Sequence, residues 1–271
     1  EAPYNPLDYE NLGQSVADAM LARPVIPLAA LALFPGAGIY AVYYTGDFAP
    51  YAPLAARNRG GQFPVVQALV LLLDPSNGEP LALLEGGALT ALRTGAASGV
   101  ATQWLARRGA NTAAFFGAGV QSRTQFEAIQ AVRPLTRAWV YDRTFAKAEA
   151  FAASLPPSVQ VRAAHSPAEA LAEAAIVCTA TTSATPVFDG HLLNPGCHVN
   201  AVGSFTPAMR EVDATTLQRA AKLVVDSREA AWHEAGDLIA ARDEGVLTEQ
   251  AIHAELGEIA AGLRPGRESE S

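Results

Sequence analysis

Two glycine triplets in this chain could turn the backbone toward a phosphate. One is Gly36-Ala-Gly38, in "GAGIYAVYYTGDF"; the other is Gly117-Ala-Gly119, in "FFGAGVQSR". The second has the better context. Phe115 and Phe116 close a short apolar run that reads as a strand, and Val120, Gln121 and Ser122 open a helical pattern. In a G-x-G-x-x-small turn the first glycine makes the bend and the second lets a pyrophosphate approach the backbone. The third position needs a small side chain where helix meets strand, and Ser122 fills it. The helix start then offers amide N–H groups and the positive end of its dipole to the phosphates.

The following strand ends in Asp142, 23 residues after Gly119. A carboxylate there can accept from the adenosine ribose hydroxyls, which favours NAD. Arg143 and Thr144 come next and could hold a 2′-phosphate, which favours NADP; the balance leans slightly to NAD. Two further stretches close later strands: Thr179, Ala180 and Thr181 in "TATTS", and Val202, Gly203 and Ser204 in "AVGSF". The carboxyl edge of a doubly wound sheet is where such folds hold ligands, so both stretches are cofactor-binding candidates. The first triplet precedes "IYAVYYTG", a strand pattern with no helix after it, and reads as a turn. No lysine-bearing P-loop is present.

These residues need a scaffold, and the order of elements supplies one. From Asn111 onward, strand patterns at "TAAFFG", "AWVYD", "VQVRA", "AIVCTAT", "CHVNAVG" and "KLVVD" alternate with helical ones at "QSRTQFEAIQAVR", "FAKAEAFAASL" and "SPAEALAEA". Such alternation means an α/β fold with a doubly wound parallel sheet, a Rossmann-like NAD(P)-binding domain. Ser166, Pro167 and Glu169 mark a helix start by N-cap, first-turn proline and capping box. Upstream, "VVQALVLLLDPSNGEPLALLEG" reads as a hairpin turning at Pro75 to Gly78, followed by a long helix, "ALTALRTGAASGVATQWLARRG". A further helix is expected in "DYENLGQSVADAMLAR".

Composition limits the function. Of 271 residues, 50% are hydrophobic and 17% charged, enough apolar material for a large core, and the net charge of −8 speaks against nucleic acid as a partner. No apolar run is long enough to span a membrane, so a cytoplasmic protein is expected. Cys178 and Cys197 sit in apolar segments as buried thiols, and with five scattered histidines they build no metal site. His191 and His198 lack partners at metal spacing, His233 reads as part of a helix surface, and Trp104, Trp139 and Trp232 as core or interface aromatics.

From about Pro64 onward the chain resembles the ornithine cyclodeaminase/mu-crystallin family. The resemblance is carried in order by "GEPLALLEGGALTALRTGAAS", "FFGAGVQSRTQFEAI", "VYDRT", "IVCTATTSATPVF", "NPGCHVNAVGSFTPAMREVD" and "LVVDSREAAWHEAGDL". It implies an NAD(P)-dependent reductase or dehydrogenase acting on an amino acid or cyclic imine, with a second domain for substrate binding and homodimerisation. The family's "RT" motif falls on Arg93 and Thr94, which implies that Arg93 holds the substrate carboxylate. A guanidinium suits that bidentate task. Glu85 is a weaker candidate for an acid in the cleft.

One departure narrows the chemistry. The aspartate that cyclodeaminases of the family use falls on Phe205, whose ring can do no acid–base work. Reduction of a cyclic ketimine such as pyrroline- or piperideine-2-carboxylate is therefore expected over ornithine cyclodeamination. The family's substrate-contacting lysine is also missing, since the only lysines are Lys147 and Lys222.

Residues 1–62 resemble instead the start of GIY-YIG restriction endonucleases, through "YNPLDYENLGQSVADAML", "PVIPL" and "GAGIYAVYYTGDFAPYAPLAARNRGGQF", with Gly38-Ile39-Tyr40 as the first half of the motif. The second half and the later arginine and glutamate do not follow, which makes a nuclease fragment a remote alternative. The expected divisions are 1–62, this segment; 63–110, the remnant of a substrate and dimerisation domain; 111–228, the NAD(P)-binding domain; and 229–271, a helical segment. Both ends read as interrupted, leaving the substrate domain incomplete. A protein that binds NAD(P)H without turnover is the other alternative.

Overall fold

A computed structural model describes residues 31–33, 39–42, 69–73 and 80–270. The helix expected in residues 8–23, the turn at Pro75 to Gly78 and most of the GIY-YIG-like segment lie outside them. The chain forms two units, Glu1–Thr90 and Ala91–Ser271.

The first unit contains an antiparallel four-stranded sheet in sequential order: β1 (Leu31–Leu33), β2 (Ile39–Val42), β3 (Leu69–Leu73) and β4 (Pro80–Glu85). The expected hairpin is β3–β4, which pairs Leu69 with Glu85 and Leu71 with Leu83. Strand β2 joins it, pairing Tyr40 with Leu71, so the Ile39-Tyr40 dipeptide lies in the same sheet as the hairpin. Helix α1 (Gly86–Leu105) begins directly after β4. The Glu85 side chain accepts from the amides of Gly87 at 2.8 Å and Ala88 at 2.6 Å, capping orphan donors of the first turn.

The second unit carries the parallel sheet. Its strands are β5 (Thr112–Phe116), β6 (Arg137–Tyr141), β7 (Gln160–Ala163), β8 (Ile176–Thr179) and β9 (His198–Ala201), in the order β7-β6-β5-β8-β9. Helices α2 (Val120–Val132), α3 (Phe145–Ala153) and α4 (Pro167–Leu171) follow β5, β6 and β7 in turn, and a loop with one short 3-10 turn (Gly190–Leu192) joins β8 to β9. Chain order runs outward from β5 through β6 to β7, then returns to β8 on the other side of β5. That reversal opens a crevice at the carboxyl ends of β5 and β8.

Strand β5 is buried along its whole length because both faces are covered. Phe115 packs into one core with Phe126, Ile129, Phe151 and Ile176; Phe116 packs into another with Leu171, Val177, Phe188 and Leu238. Each fully buried phenylalanine is worth about 1.5–3 kcal/mol of apolar burial. A continuous apolar run, rather than strict alternation, is what a two-faced central strand requires.

Helix α4 starts as its residues foretell. Ser166 Oγ accepts from the Glu169 amide at 3.2 Å, while the Glu169 carboxylate reaches back to the His165 amide at 2.7 Å.

One expected strand is placed differently. "KLVVD" contains β10 (Leu223–Val225), but β10 is no member of the five-stranded sheet. It pairs in parallel with β11 (Ile252–Glu255), with a bulge between Leu223 and Val224. Its backbone groups find their ladder in a segment that no strand pattern marks. Four short helices complete the unit: α5 (Ala214–Arg219), α6 (Arg228–Glu234), α7 (Gly236–Asp243) and α8 (Leu256–Ala260). No helix among the described residues is long and apolar enough to cross a membrane.

Candidate functional site

The Gly117–Ser122 turn bridges β5 and α2. Gly117 has φ +98°, and a Cβ there would sit 2.7 Å from the Ala180 carbonyl oxygen, so only glycine is accommodated. Its amide donates to the Tyr141 carbonyl at 2.8 Å, extending the β5–β6 ladder by one step. Ser122 is buried and donates from Oγ to the Gly117 carbonyl at 2.6 Å, which ties the first turn of α2 to the bend. Its small size is thus used in close packing, and its hydroxyl adds a lock that the sequence did not announce.

Gly119 is the N-cap of α2, and no side chain caps the helix there. A Cβ on Gly119 would meet nothing within 4 Å, so the space over this amide end is open. Val120 beside it is 74% exposed. The Gln121 Oε1 atom is buried with no hydrogen-bond partner among the described residues. An uncapped helix start, open space and an orphaned acceptor fit the pyrophosphate and ribose of a dinucleotide.

Asp142 lies at the end of β6 and faces this turn. Its Oδ2 accepts from the Ala118 amide at 3.2 Å and its Oδ1 from the Thr144 amide at 2.8 Å. Both bonds fix the carboxylate and leave lone pairs for ribose hydroxyls. Arg143 and Thr144 are exposed beside it. Phe145 stacks on His165 at 4.1 Å between ring centroids, 11° from parallel, an aromatic pair that sequence reading missed because its members are 20 residues apart.

The ends of β8 and β9 meet at a residue that sequence reasoning also passed over. Glu211 is fully buried, and its carboxylate accepts from the Thr179 hydroxyl, the Thr181 amide and hydroxyl, and the Gly203 amide. Thr179 is itself buried, with its hydroxyl directed to Glu211. Val202 continues the ladder through its amide to the Thr179 carbonyl at 3.1 Å, and Ser204 donates to the Met209 carbonyl at 2.8 Å. Asp237 accepts from the amides of Glu211 at 2.7 Å and Val212 at 3.1 Å. Burial pushes the Asp237 carboxyl up to about 6, against the pull of those two amides.

Arg93 and Thr94 lie on α1. Arg93 is on its exposed side, while the Thr94 carbonyl accepts from the buried Gln125 amide of α2 at 3.3 Å. Gly95 packs against the Thr124 backbone, where a Cβ would come within 2.7 Å of the carbonyl oxygen. The structure therefore gathers Gly117–Ser122, Asp142–Thr144, Thr179–Thr181 and Val202–Ser204 at one sheet edge, and anchors the helix bearing Arg93 to α2.

Glu85 is no free acid. Its cap bonds to Ala88 and Gly87 hold its carboxyl below the usual range. Cys178 and Cys197 are free thiols, each pushed up to about 12 by burial, and are chemically quiet. His198 is buried against Asn200 at 3.0 Å, and burial takes its pKa down to about 4. His233 is exposed on α6, bonded to the Glu229 carbonyl. Among the described residues no group of three His, Cys, Asp or Glu could hold a metal ion.

A five-stranded parallel sheet with a glycine turn at its switch point defines a Rossmann-type α/β protein of the dinucleotide-binding class. Sequence comparison narrows this. The model of the ornithine cyclodeaminase/mu-crystallin family matches residues 51–271, and the chain belongs to that family. A Delta(1)-pyrroline-2-carboxylate reductase of Bacillus cereus is 47% identical over 207 residues, covering 76% of this chain and 63% of that protein's length.

Among solved structures, the Thermococcus litoralis Delta(1)-pyrroline-2-carboxylate reductase in complex with NADH and L-proline superposes with a TM-score of 0.77. It is 36% identical, with 96% of this chain and 83% of that chain covered. An archaeal alanine dehydrogenase dimer with bound NAD gives a TM-score of 0.72 at 34% identity, covering 79% of this chain and 66% of that chain.

Proposed function

We propose that this chain binds NAD(H) or NADP(H) along the carboxyl edge of its parallel sheet and reduces a cyclic ketimine carboxylate of the pyrroline- or piperideine-2-carboxylate type. The reverse reaction is dehydrogenation of the matching amino acid. The observation that carries this reading is the cradle at Gly119: an uncapped helix start with open space above it and the Asp142 carboxylate alongside. The likeness to a pyrroline-2-carboxylate reductase and to a structure holding NADH and L-proline supports the substrate class.

In this reading Gly117, Gly119, Val120, Gln121 and Ser122 hold the pyrophosphate. Asp142, Arg143 and Thr144 hold the adenosine end, with the stacked Phe145–His165 pair beside them. Thr181, Val202, Gly203 and Ser204 frame the nicotinamide end, and Arg93 pairs with the substrate carboxylate. A bound NADH or NADPH supplies hydride to the imine carbon. The imine nitrogen takes its proton from a side chain or from water; Phe205 has none to give and Glu85 is committed to its helix cap.

Residues 63–110 are assigned to the substrate and dimerisation part and 111–228 to the cofactor part of a cytoplasmic protein. A homodimer accords with the face of the β3–β4 hairpin that carries Leu69, Leu71, Leu81 and Leu83, all exposed.

The test is oxidation of NADH or NADPH by Δ1-pyrroline-2-carboxylate with wild-type chain and Arg93→Ala. Losing a charged bidentate partner is expected to raise KM for the imine by about 30-fold or more, leaving cofactor affinity unchanged. Unaltered KM and kcat would remove Arg93 from the site, and no turnover by the wild type in the presence of bound cofactor would overturn the reductase reading.

A further inference from the structure

Glu211 has no part in the steps above, yet it is among the most tightly held side chains in the molecule. It is fully buried, at 0% exposure. Its four hydrogen bonds come from two segments only. The end of β8 gives the Thr179 hydroxyl at 2.6 Å and the loop after it the Thr181 amide at 2.5 Å and hydroxyl at 2.7 Å; the loop after β9 gives the Gly203 amide at 2.6 Å. Every donor is neutral. A second buried carboxylate, Asp237, braces the arrangement from behind by accepting from the Glu211 amide. The Asp237 amide in turn donates to Ser204 Oγ at 3.1 Å.

Burying a carboxylate without a cation is costly, and a well-packed apolar group would commonly serve stability as well. What an apolar group cannot do is accept from two loops at once. Both Glu211 oxygens accept here, so the four donors converging on them fix the separation of the segments they belong to. We propose that Glu211 is the positioning residue of the nicotinamide end, clamping Thr181 and Gly203 together, so closely that a Cβ on Gly203 would clash with the Thr181 carbonyl oxygen, and thereby making the two loops one continuous wall of the nicotinamide slot. This rests on the cofactor reading of the sheet edge. It goes beyond it by placing control of the slot in a residue that would touch neither cofactor nor substrate.

The test compares two ligands on the full 271-residue chain. ADP occupies only the Gly117–Ser122 and Asp142 end, whereas NADH also needs the slot. Glu211→Gln keeps the shape but turns an N–H pair toward donors already present. It is expected to raise the NADH Kd about tenfold while the ADP Kd stays within about twofold. Thr179→Val, at a fully buried residue that can touch no ligand, removes one donor to Glu211 and is expected to weaken NADH alone about threefold; it decides the matter if Glu211→Gln does not fold.

Unchanged NADH affinity in folded variants would overturn the proposal. So would parallel loss of NADH and ADP, the signature of a merely structural residue. Failure of the wild-type chain to bind either ligand is a separate outcome, which would overturn the cofactor reading itself and this inference with it.

Discussion

At the residue scale, two buried groups carry opposite pH dependences. Asp237 has its pKa raised to about 6 from 3.8, so the folded state binds its proton more tightly than the unfolded one. Its contribution to stability is full below about pH 4 and is lost as pH rises through 6, about 3 kcal/mol in all. His198 has its pKa lowered to about 4 from 6.5; its contribution is full above pH 6.5 and is lost as pH falls through 4, again about 3 kcal/mol. Between pH 4 and 6 the two slopes oppose each other, and the wild type should show little net trend from this pair. Asp237→Asn is expected to expose the His198 slope, with stability falling on acidification, and His198→Gln to expose the reverse. Thermal unfolding of the three chains at pH 4, 5, 6 and 7 checks this; parallel curves for all three would contradict it.

Which of these residues were legible follows from how local their signals are. Gly117, Gly119, Ser122 and Asp142 are set by a turn and the next strand end, so spacing alone locates them. Glu211 is not. In "TPAMREVD" it reads as one more charged loop residue, and its partners Thr179, Thr181 and Asp237 lie 26 to 32 residues away. Glu85 shows the converse, a carboxylate that looks available until the cap bonds to Gly87 and Ala88 are seen.

At the scale of elements, the seam between α1 and α2 places the Arg93–Thr94 turn. Gly95 abuts the Thr124 backbone and Gly99 lies against Ala128, while Gln125 reaches across to the Thr94 carbonyl. Gly95→Ala should therefore cost about 1–3 kcal/mol by overpacking, despite a helix-propensity gain of about 1 kcal/mol. Gly257→Ala in α8 meets nothing within 4 Å and should be neutral or stabilising. Equal effects of the two substitutions in urea unfolding would contradict the close seam. Strands β5, β6 and β8 could be read from sequence as short, mostly apolar runs, while β7 and β9, whose residues alternate with polar ones, follow from their place in the order of elements. Strand β10 could be recognised as a strand but not placed, because its partner β11 in "IHAE" has neither the apolar run nor the β-branched content of one.

At the scale of the whole molecule, the chain is a member of the ornithine cyclodeaminase/mu-crystallin family that spans 63% of the length of its Bacillus cereus relative. The parallel sheet, its two cores and the crevice at the switch point all fall within residues 91–271, the second unit. The central claim is that this unit binds a nicotinamide dinucleotide over Gly119. The most direct measurement is a calorimetric titration of the wild-type chain and Gly119→Trp with NADH and, separately, NADPH. Because the space over Gly119 is open, the tryptophan should leave the fold intact while filling the pyrophosphate cradle. Saturable binding by the wild type, abolished in the variant and tighter for NADH, is the expected result. Equal binding by both chains, or none by a folded wild type, would contradict it.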